Sequence, residues 1–345
     1  MKQLFGTSDG HVVIREMPAP TLRGEGAIVQ PKFSAISIGT EGTLLRERRA
    51  GVAETHAAPG ASKDLVLGYS NVGTILETSA GLDGFRPGDT VTCAGIGFAS
   101  HAQQCYVPKN LLARCPANVD LREAAFTTLG ACAMQGLRRG RVELGETVAV
   151  IGLGMIGQLA VQIARAGGAH VIGVDTNESR VKLASQMGSD VVAHPQNALQ
   201  AAKNATHGRG VDVAIITAGT PSSSAPLVQG LEMVRDRGRV VVVGNVKCEF
   251  PRDLWYYKDA ELLISRSYGP GRYDPPYEDG GHDYPLGYVR WTEGRNLQEF
   301  VRLLSAGQVK VAPLISHEFP FERAPEAYEL LLEKPGECLG VVLKY

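Results

Sequence analysis

Gly152, Gly154 and Gly157, in the run Ile151-Gly152-Leu153-Gly154-Met155-Ile156-Gly157, have the spacing needed to hold a phosphate-bearing ligand against backbone. The first glycine permits a tight turn, and the second lets a pyrophosphate approach the main chain. The third lets a helix pack closely on the preceding strand. A helix opening beyond the second glycine turns its free N–H groups and positive dipole end toward the phosphates. Asp175 follows Gly152 by 23 residues (175 − 152). That is near the spacing of about 20 expected for a carboxylate that accepts hydrogen bonds from the adenosine ribose. Such a carboxylate repels a 2′-phosphate, which favours NAD; Arg180, near the same ribose, leaves NADP open. Gly152, Gly154, Met155, Ile156, Gly157, Asp175 and Arg180 are therefore cofactor-binding candidates, joined by Ala218, Gly219 and Gly244 on later turns.

A second group of candidates gathers in and just before a Gly-, Pro- and Tyr-rich stretch, residues 268–296. It holds Arg266, Tyr268, Arg272, Tyr273, Tyr284, Arg290 and Trp291. Aromatic faces beside guanidinium groups suit sugar hydroxyls, a carboxylate or a phosphate. The competing reading is a structural or dimer-contact loop.

These groups need a scaffold, and the pattern supplies two kinds. Up to about residue 120, short apolar runs such as 26–30, 72–76 and 90–93 alternate with turns at Asp83-Gly84, Pro87-Gly88-Asp89 and Pro108-Lys109-Asn110. This predicts a small β-rich barrel or sandwich. From about 145 to 267 strands alternate with helices. Strands are expected at 147–151, 171–174, 191–192, 211–217, 239–243 and 262–265, with helices over 178–187 and 226–235. Ile156, Leu159, Ala160, Ile163 and Ala164 form the stripe of a helix packed on a sheet, closed by Gly167-Gly168. The alternation implies parallel strands. A helix over 297–305 and strands near 309–311 and 339–343 complete the chain.

The 345 residues carry 35 Lys+Arg against 36 Asp+Glu, a formal net charge of −1. A nucleic-acid partner would need a basic surplus, and none is present. The most apolar stretch, 148–164, is too short and too polar to span a bilayer. The first nine residues lack the apolar core of a signal peptide. The six cysteines include no Cys-x-x-Cys pair and read as reduced thiols. Together these predict a cytoplasmic protein with a small-molecule substrate and no membrane partner.

The chain resembles the medium-chain dehydrogenase/reductase superfamily along its whole length. The resemblance rests on Phe85-Arg86-Pro87-Gly88-Asp89-Thr90-Val91 and on Phe126-Thr127-Thr128-Leu129-Gly130-Ala131 leading to Gly145-Glu146-Thr147-Val148. The glycine motif, Gly210-Val211-Asp212-Val213-Ala214 and Gly238-Arg239-Val240-Val241-Val242-Val243-Gly244 extend it. It implies an α/β chain with a GroES-like β-rich catalytic domain over 1–122 and a Rossmann NAD-binding domain over 123–268. Residues 269–345 then supply a substrate loop and return to the catalytic domain. Ile36-Ser37-Ile38-Gly39-Thr40-Glu41, Gly68-Tyr69-Ser70, the run 265–274 and the run 288–293 resemble a branch whose members are often fused to, or encoded beside, a second sugar-type oxidoreductase. A homodimer or homotetramer and a partner sugar oxidoreductase are expected on this basis.

Against the zinc enzymes of that superfamily, Ile38 stands where a cysteine ligand would be, and Gly68-Tyr69-Ser70 replaces a Gly-His-Glu motif. The four-cysteine structural zinc lobe is absent as well. The expectation is no metal, although Glu41, His56 and His101 offer a rival ligand set. Some other group must then stabilise a developing alkoxide and move a proton. Thr40 occupies the place of the proton-relaying hydroxyl, and Tyr69 the place of a zinc ligand. Glu41 is the nearest ionisable residue, and His101 is placed near substrate by analogy. The bland alternatives stay open: Tyr69 fills the metal's volume, Thr40 caps a helix starting at Glu41, and His101 is structural. The resulting expectation is a zinc-independent, NAD-dependent dehydrogenase acting on a secondary alcohol or ketone of a sugar or cyclitol. Its rivals are a zinc-free enoyl or quinone reductase and a non-catalytic NAD-sensing subunit.

Overall fold

A computed structural model describes residues 1–52 and 64–345. The chain forms two units. One comprises residues 1–128, 270–305 and 311–345, and the other 129–269 and 306–310. The first boundary falls later than the expected 122/123 division. Ala125 and Thr128 belong with the β-rich unit, because the Ser70 hydroxyl donates to Ala125 O and accepts from Thr128 N.

The β-rich unit is organised by the long strand Gly26–Ile36. Its seven-stranded sheet runs Ile315–Pro320, Gly340–Lys344, Gly26–Ile36, Ser70–Thr78, Thr90–Ala94 and Leu112–Arg114, with Cys105–Pro108 pairing beside Gly26–Ile36. The last strand lies antiparallel to Phe33–Ile36, so the end of the chain completes the sheet begun near its start. Pro31 lacks a ladder N–H, and the register shifts beside it, between Pro31 and Phe33. Opposite, Gly73 is obligatory: a Cβ there would stand 2.2 Å from Gln30 O. Leu4, Leu45, Leu67, Phe321, Tyr328, Leu331 and Leu343 form a buried core at the end of this sheet where the strand meets the helix Glu41–Arg49.

The second unit is a parallel sheet of six strands in the order Val191–Ala193, His170–Val174, Thr147–Ile151, Val211–Ile216, Val234–Val242 and Glu261–Ile264. Every neighbouring pair is parallel. This is the Rossmann order, and the chain reverses direction across the sheet between Thr147–Ile151 and Val211–Ile216, where ligands bind beyond the carboxyl ends of strands. The helix Met155–Ala166 buries Leu159, Ala160, Ile163 and Ala164, and Gly167 caps it as expected.

Four local expectations change. A helix over Pro195–Ala205 fills the gap before the fourth strand. Its fully buried residues are Ala198 and Ala202, too small to stand out as a hydrophobic period. Residues 309–311 form no strand. The Gln162 side chain donates to Lys310 O and accepts from Lys310 N, so one amide side chain satisfies the groups a strand would have paired. The helix expected from 297 opens at Glu293, and a short turn of helix, Pro275–Glu278, interrupts the stretch expected to be irregular. No helix among the described residues is long and apolar enough to cross a membrane.

Candidate functional site

In the Rossmann unit, the strand Thr147–Ile151 delivers Gly152 at φ +99°, a backbone conformation that an L side chain resists. A Cβ on Gly157 would meet Gly152 O at 1.9 Å, and one on Gly244 would meet Ala218 O at 2.1 Å. These are contacts with main chain, which cannot swing aside. Gly154 and Gly219 face open space instead, where an added Cβ would find nothing within 4 Å. The helix after Gly154 has no side chain capping its N-terminus. Its first N–H groups, with Met155 and Ile156 among them, are therefore left for a ligand.

The acid is tied to this turn. Asp175 Oδ2 accepts from Leu153 N at 2.6 Å and Oδ1 from Asn177 N at 2.8 Å. Leu153 O in turn accepts from Gln158 Nε2 at 3.2 Å, and the same amide group reaches Arg180 O at 2.9 Å. The N–H and the C=O of Leu153 are thus both held, and the glycine turn is linked to the start of the Arg180 helix. Each Asp175 oxygen keeps lone-pair capacity for a ribose hydroxyl. An open second glycine, an uncapped helix and a half-buried carboxylate fit a dinucleotide. Gln158 carried no visible signal in the sequence, reading only as a polar break in an apolar helix.

In the β-rich unit the candidates converge on Glu41, which is 3% exposed. Its Oε2 accepts from Ser37 N at 2.7 Å. Its Oε1 accepts from Gly68 N at 2.7 Å and from the Tyr328 hydroxyl at 2.9 Å. His101 Nε2 stands 3.4 Å from the same Oε1. Burial acts to raise the Glu41 carboxyl, but His101 and the two N–H donors outweigh it and hold the group below the usual carboxylate range. Burial, then the Glu41 charge, push the Tyr328 phenol well above its ordinary value.

His101 is fully buried. Its Nδ1 meets Ser34 Oγ at 2.7 Å, and Ser34 Oγ meets the Tyr345 hydroxyl at 2.9 Å. The expectation that His101 touches substrate is therefore corrected: protein encloses the ring on every side. Gly68 explains the close fit, since a Cβ there would lie 2.2 Å from His101 N. Tyr69, half-buried, donates to Ser37 Oγ at 2.7 Å. Thr40 is exposed at the helix start, and its side chain makes no capping bond. Tyr69 and Thr40 are thus the members of this group that reach solvent, whereas Glu41 lies beneath them.

The zinc ligand set finds no counterpart in this donor set. Ile38 has no ligating atom. The Ser70 hydroxyl is spent on Ala125 and Thr128, and Thr127 Oγ1 donates to Ala124 O at 2.7 Å. No group of three His, Cys, Asp or Glu suited to a metal occurs among the described residues. Glu41 and His101 do come together, but His56 lies outside the described residues.

The proposed substrate residues divide. Arg266 is exposed and Tyr268 is buried, both beyond the carboxyl end of the last parallel strand. Arg272 is buried, with its guanidinium donating to Glu278 Oε1 at 2.6 Å and lying 3.9 Å from the Tyr273 ring. Arg272 therefore pins the loop rather than facing a ligand, a correction to its expected role. Tyr277 stacks on Tyr284, with centroids 5.2 Å apart, and accepts through its carbonyl from Asn110 Nδ2. Asp279 O lies near Gly24, at the end of strand Gly26–Ile36 away from Ser34 and Glu41. At about 3.3 Å per residue those ends are roughly 30 Å apart, so this part of the loop is remote from the Tyr69 group. Tyr273 is exposed, and exposed Arg290 covers the Trp291 ring at 3.7 Å.

A family described as zinc-binding dehydrogenase matches residues 155–275. Sorbitol dehydrogenase from Bacillus subtilis (strain 168) is 25% identical over 374 aligned positions, covering 99% of this chain and 97% of that protein. D-guloside 3-dehydrogenase from Escherichia coli (strain K12) is 29% identical over 280 positions, covering 79% of this chain and 75% of the relative. Among solved structures, the alcohol dehydrogenase TADH from Thermus sp. ATN1 superposes with a TM-score of 0.79 at 23% identity, covering 100% of this chain and 99% of that one. A GroES-like β-rich domain, a Rossmann domain, the family match over residues 155–275 and full-length dehydrogenase relatives agree: the chain is an oxidoreductase with the fold of the medium-chain dehydrogenase/reductases.

Proposed function

We propose that the protein is an NAD(H)-dependent, zinc-independent dehydrogenase that interconverts a secondary alcohol and a ketone on a sugar or polyol. The observation that carries this reading is the Tyr69–Ser37 hydroxyl pair, set above a buried carboxylate where related enzymes hold metal. The names of the sorbitol and D-guloside relatives support the substrate class.

The Rossmann unit supplies the dinucleotide cradle. The uncapped helix start and Gly154 receive the pyrophosphate, and Asp175 accepts the ribose hydroxyls. A carboxylate at that point disfavours a 2′-phosphate, which supports NAD over NADP. The nicotinamide, when bound, provides the hydride acceptor or donor. In the oxidative direction, ionised Tyr69 Oη takes the proton of the substrate hydroxyl, while Ser37 Oγ holds the phenol in place. Thr40, exposed and without a capping bond, is the second hydroxyl available to orient the substrate oxygen.

The test is a panel of sorbitol, D-gulosides, inositols and butane-2,3-diol, each with NAD and with NADP. Reduction of NAD by a polyol supports the reading. Tight NADH binding with no turnover on any polyol, or activity confined to NADPH and an activated C=C bond, would replace it.

A further inference from the structure

Three donors from three separate stretches of chain meet one carboxylate in the β-rich unit, Ser37 N, Gly68 N and Tyr328 Oη on Glu41, and His101 Nε2 stands 3.4 Å from it. Two of those donors adjoin the residues that reach solvent. Gly68 precedes Tyr69, and Ser37 carries both an N–H bonded to Glu41 and the hydroxyl bonded to Tyr69. Ser37 Oγ also accepts from Thr40 N at 3.3 Å. Moving Glu41 therefore moves Ser37, Tyr69 and Thr40 together. At 3% exposure Glu41 cannot meet a substrate.

We propose that Glu41 is the positioning residue of this site, fixing the Tyr69–Ser37 hydroxyl pair in place and biasing its ionisation through a buried negative charge. This replaces the expectation that Glu41 acts directly, and it rests on the reading that Tyr69 handles the proton. Where the metal ligands are missing, a carboxylate gripped by several loops gives the rigidity a metal would have given. Low surrounding polarity makes its charge felt by a neighbouring phenol. The titratable groups facing this space are Glu41 and His101, Tyr328 from the helix Ala324–Glu333, and Tyr345 and Cys105 beyond Ser34 and His101.

The experiment is a pH titration of the full-length protein carrying tyrosine labelled at the ring carbon bonded to oxygen. The Tyr69 resonance is identified by its loss in Tyr69→Phe. Glu41→Gln, which removes the charge but keeps the shape, is expected to ease Tyr69 ionisation about tenfold, or one pH unit. Glu41→Asp, which keeps the charge, is expected to restore most of the wild-type titration. The wild-type protein gives an independent reading, because its Tyr69 signal is expected to step at acidic pH as Glu41 takes up a proton. A Tyr69 titration unmoved by Glu41→Gln, or a flat wild-type signal through the acidic range, would overturn the proposal. Turnover of Tyr69→Phe separates the two claims. Unchanged turnover removes Tyr69 as proton acceptor, while the titration still judges its coupling to Glu41.

Discussion

Tyr328 and Glu41, 287 residues apart in sequence, share a hydrogen bond of 2.9 Å in the buried heart of the β-rich unit. Through it the helix Ala324–Glu333 is anchored to the turn that carries Ser37 and Thr40. Tyr328→Phe removes one donor from a charged acceptor and leaves the ring volume intact. A loss of about 1.5–3 kcal/mol is expected, read as a lower midpoint in urea. A midpoint equal to wild type would show that the phenol is not holding the carboxylate.

Acid stability follows from Glu41. Its folded-state pKa lies below the ordinary 4.5 because His101, Ser37 and Gly68 together outweigh burial. The stabilisation is therefore fully present above about pH 4.5 and is lost as pH falls through the depressed folded value. Urea midpoints of wild type and Glu41→Gln should differ most at neutral pH and converge below pH 4.5. A constant difference down to the most acidic pH tested would contradict the assignment.

On the proposed function, cofactor choice turns on Asp175. Asp175→Asn keeps an acceptor for Leu153 N or Asn177 N but removes the charge that repels a 2′-phosphate. NADH affinity is expected to fall about tenfold, with NADPH affinity unchanged or improved. Calorimetric titration of both nucleotides checks this; equal losses for both would assign Asp175 a purely structural part.

Gln158→Leu tests the clasp on the glycine turn. The substitution preserves bulk in a fully buried place and frees Leu153 O and Arg180 O together. Leaving the buried Leu153 carbonyl without the amide costs about 1–3 kcal/mol, so a lower melting temperature and weaker NADH binding are expected. Normal NADH binding would show that the turn holds its shape without the amide.

Much of this was legible from residues close in sequence. The glycine spacing, the Asp175 offset and the apolar stripe of Met155–Ala166 each describe a local backbone event, and local chemistry decided them. The Glu41 group was legible only in part. Glu41, Tyr69 and His101 stood out by type, but nothing in their spacing showed that Gly68 would press against His101, or that Tyr328 and Tyr345 would return from the far end of the chain. Arg272 illustrates the opposite failure. Arginine beside tyrosine has one composition whether it faces a ligand or, as here, pairs with Glu278 six residues on. Burial decides between those readings, and burial belongs to the tertiary structure.

The most direct test of the account is the dependence of turnover on zinc. With the best polyol from the panel and NAD, protein stripped by a strong chelator should retain its full rate, and added zinc should not raise it. Activity that disappears on stripping and returns with one equivalent of zinc would contradict a chemistry built on Tyr69, Ser37 and Glu41.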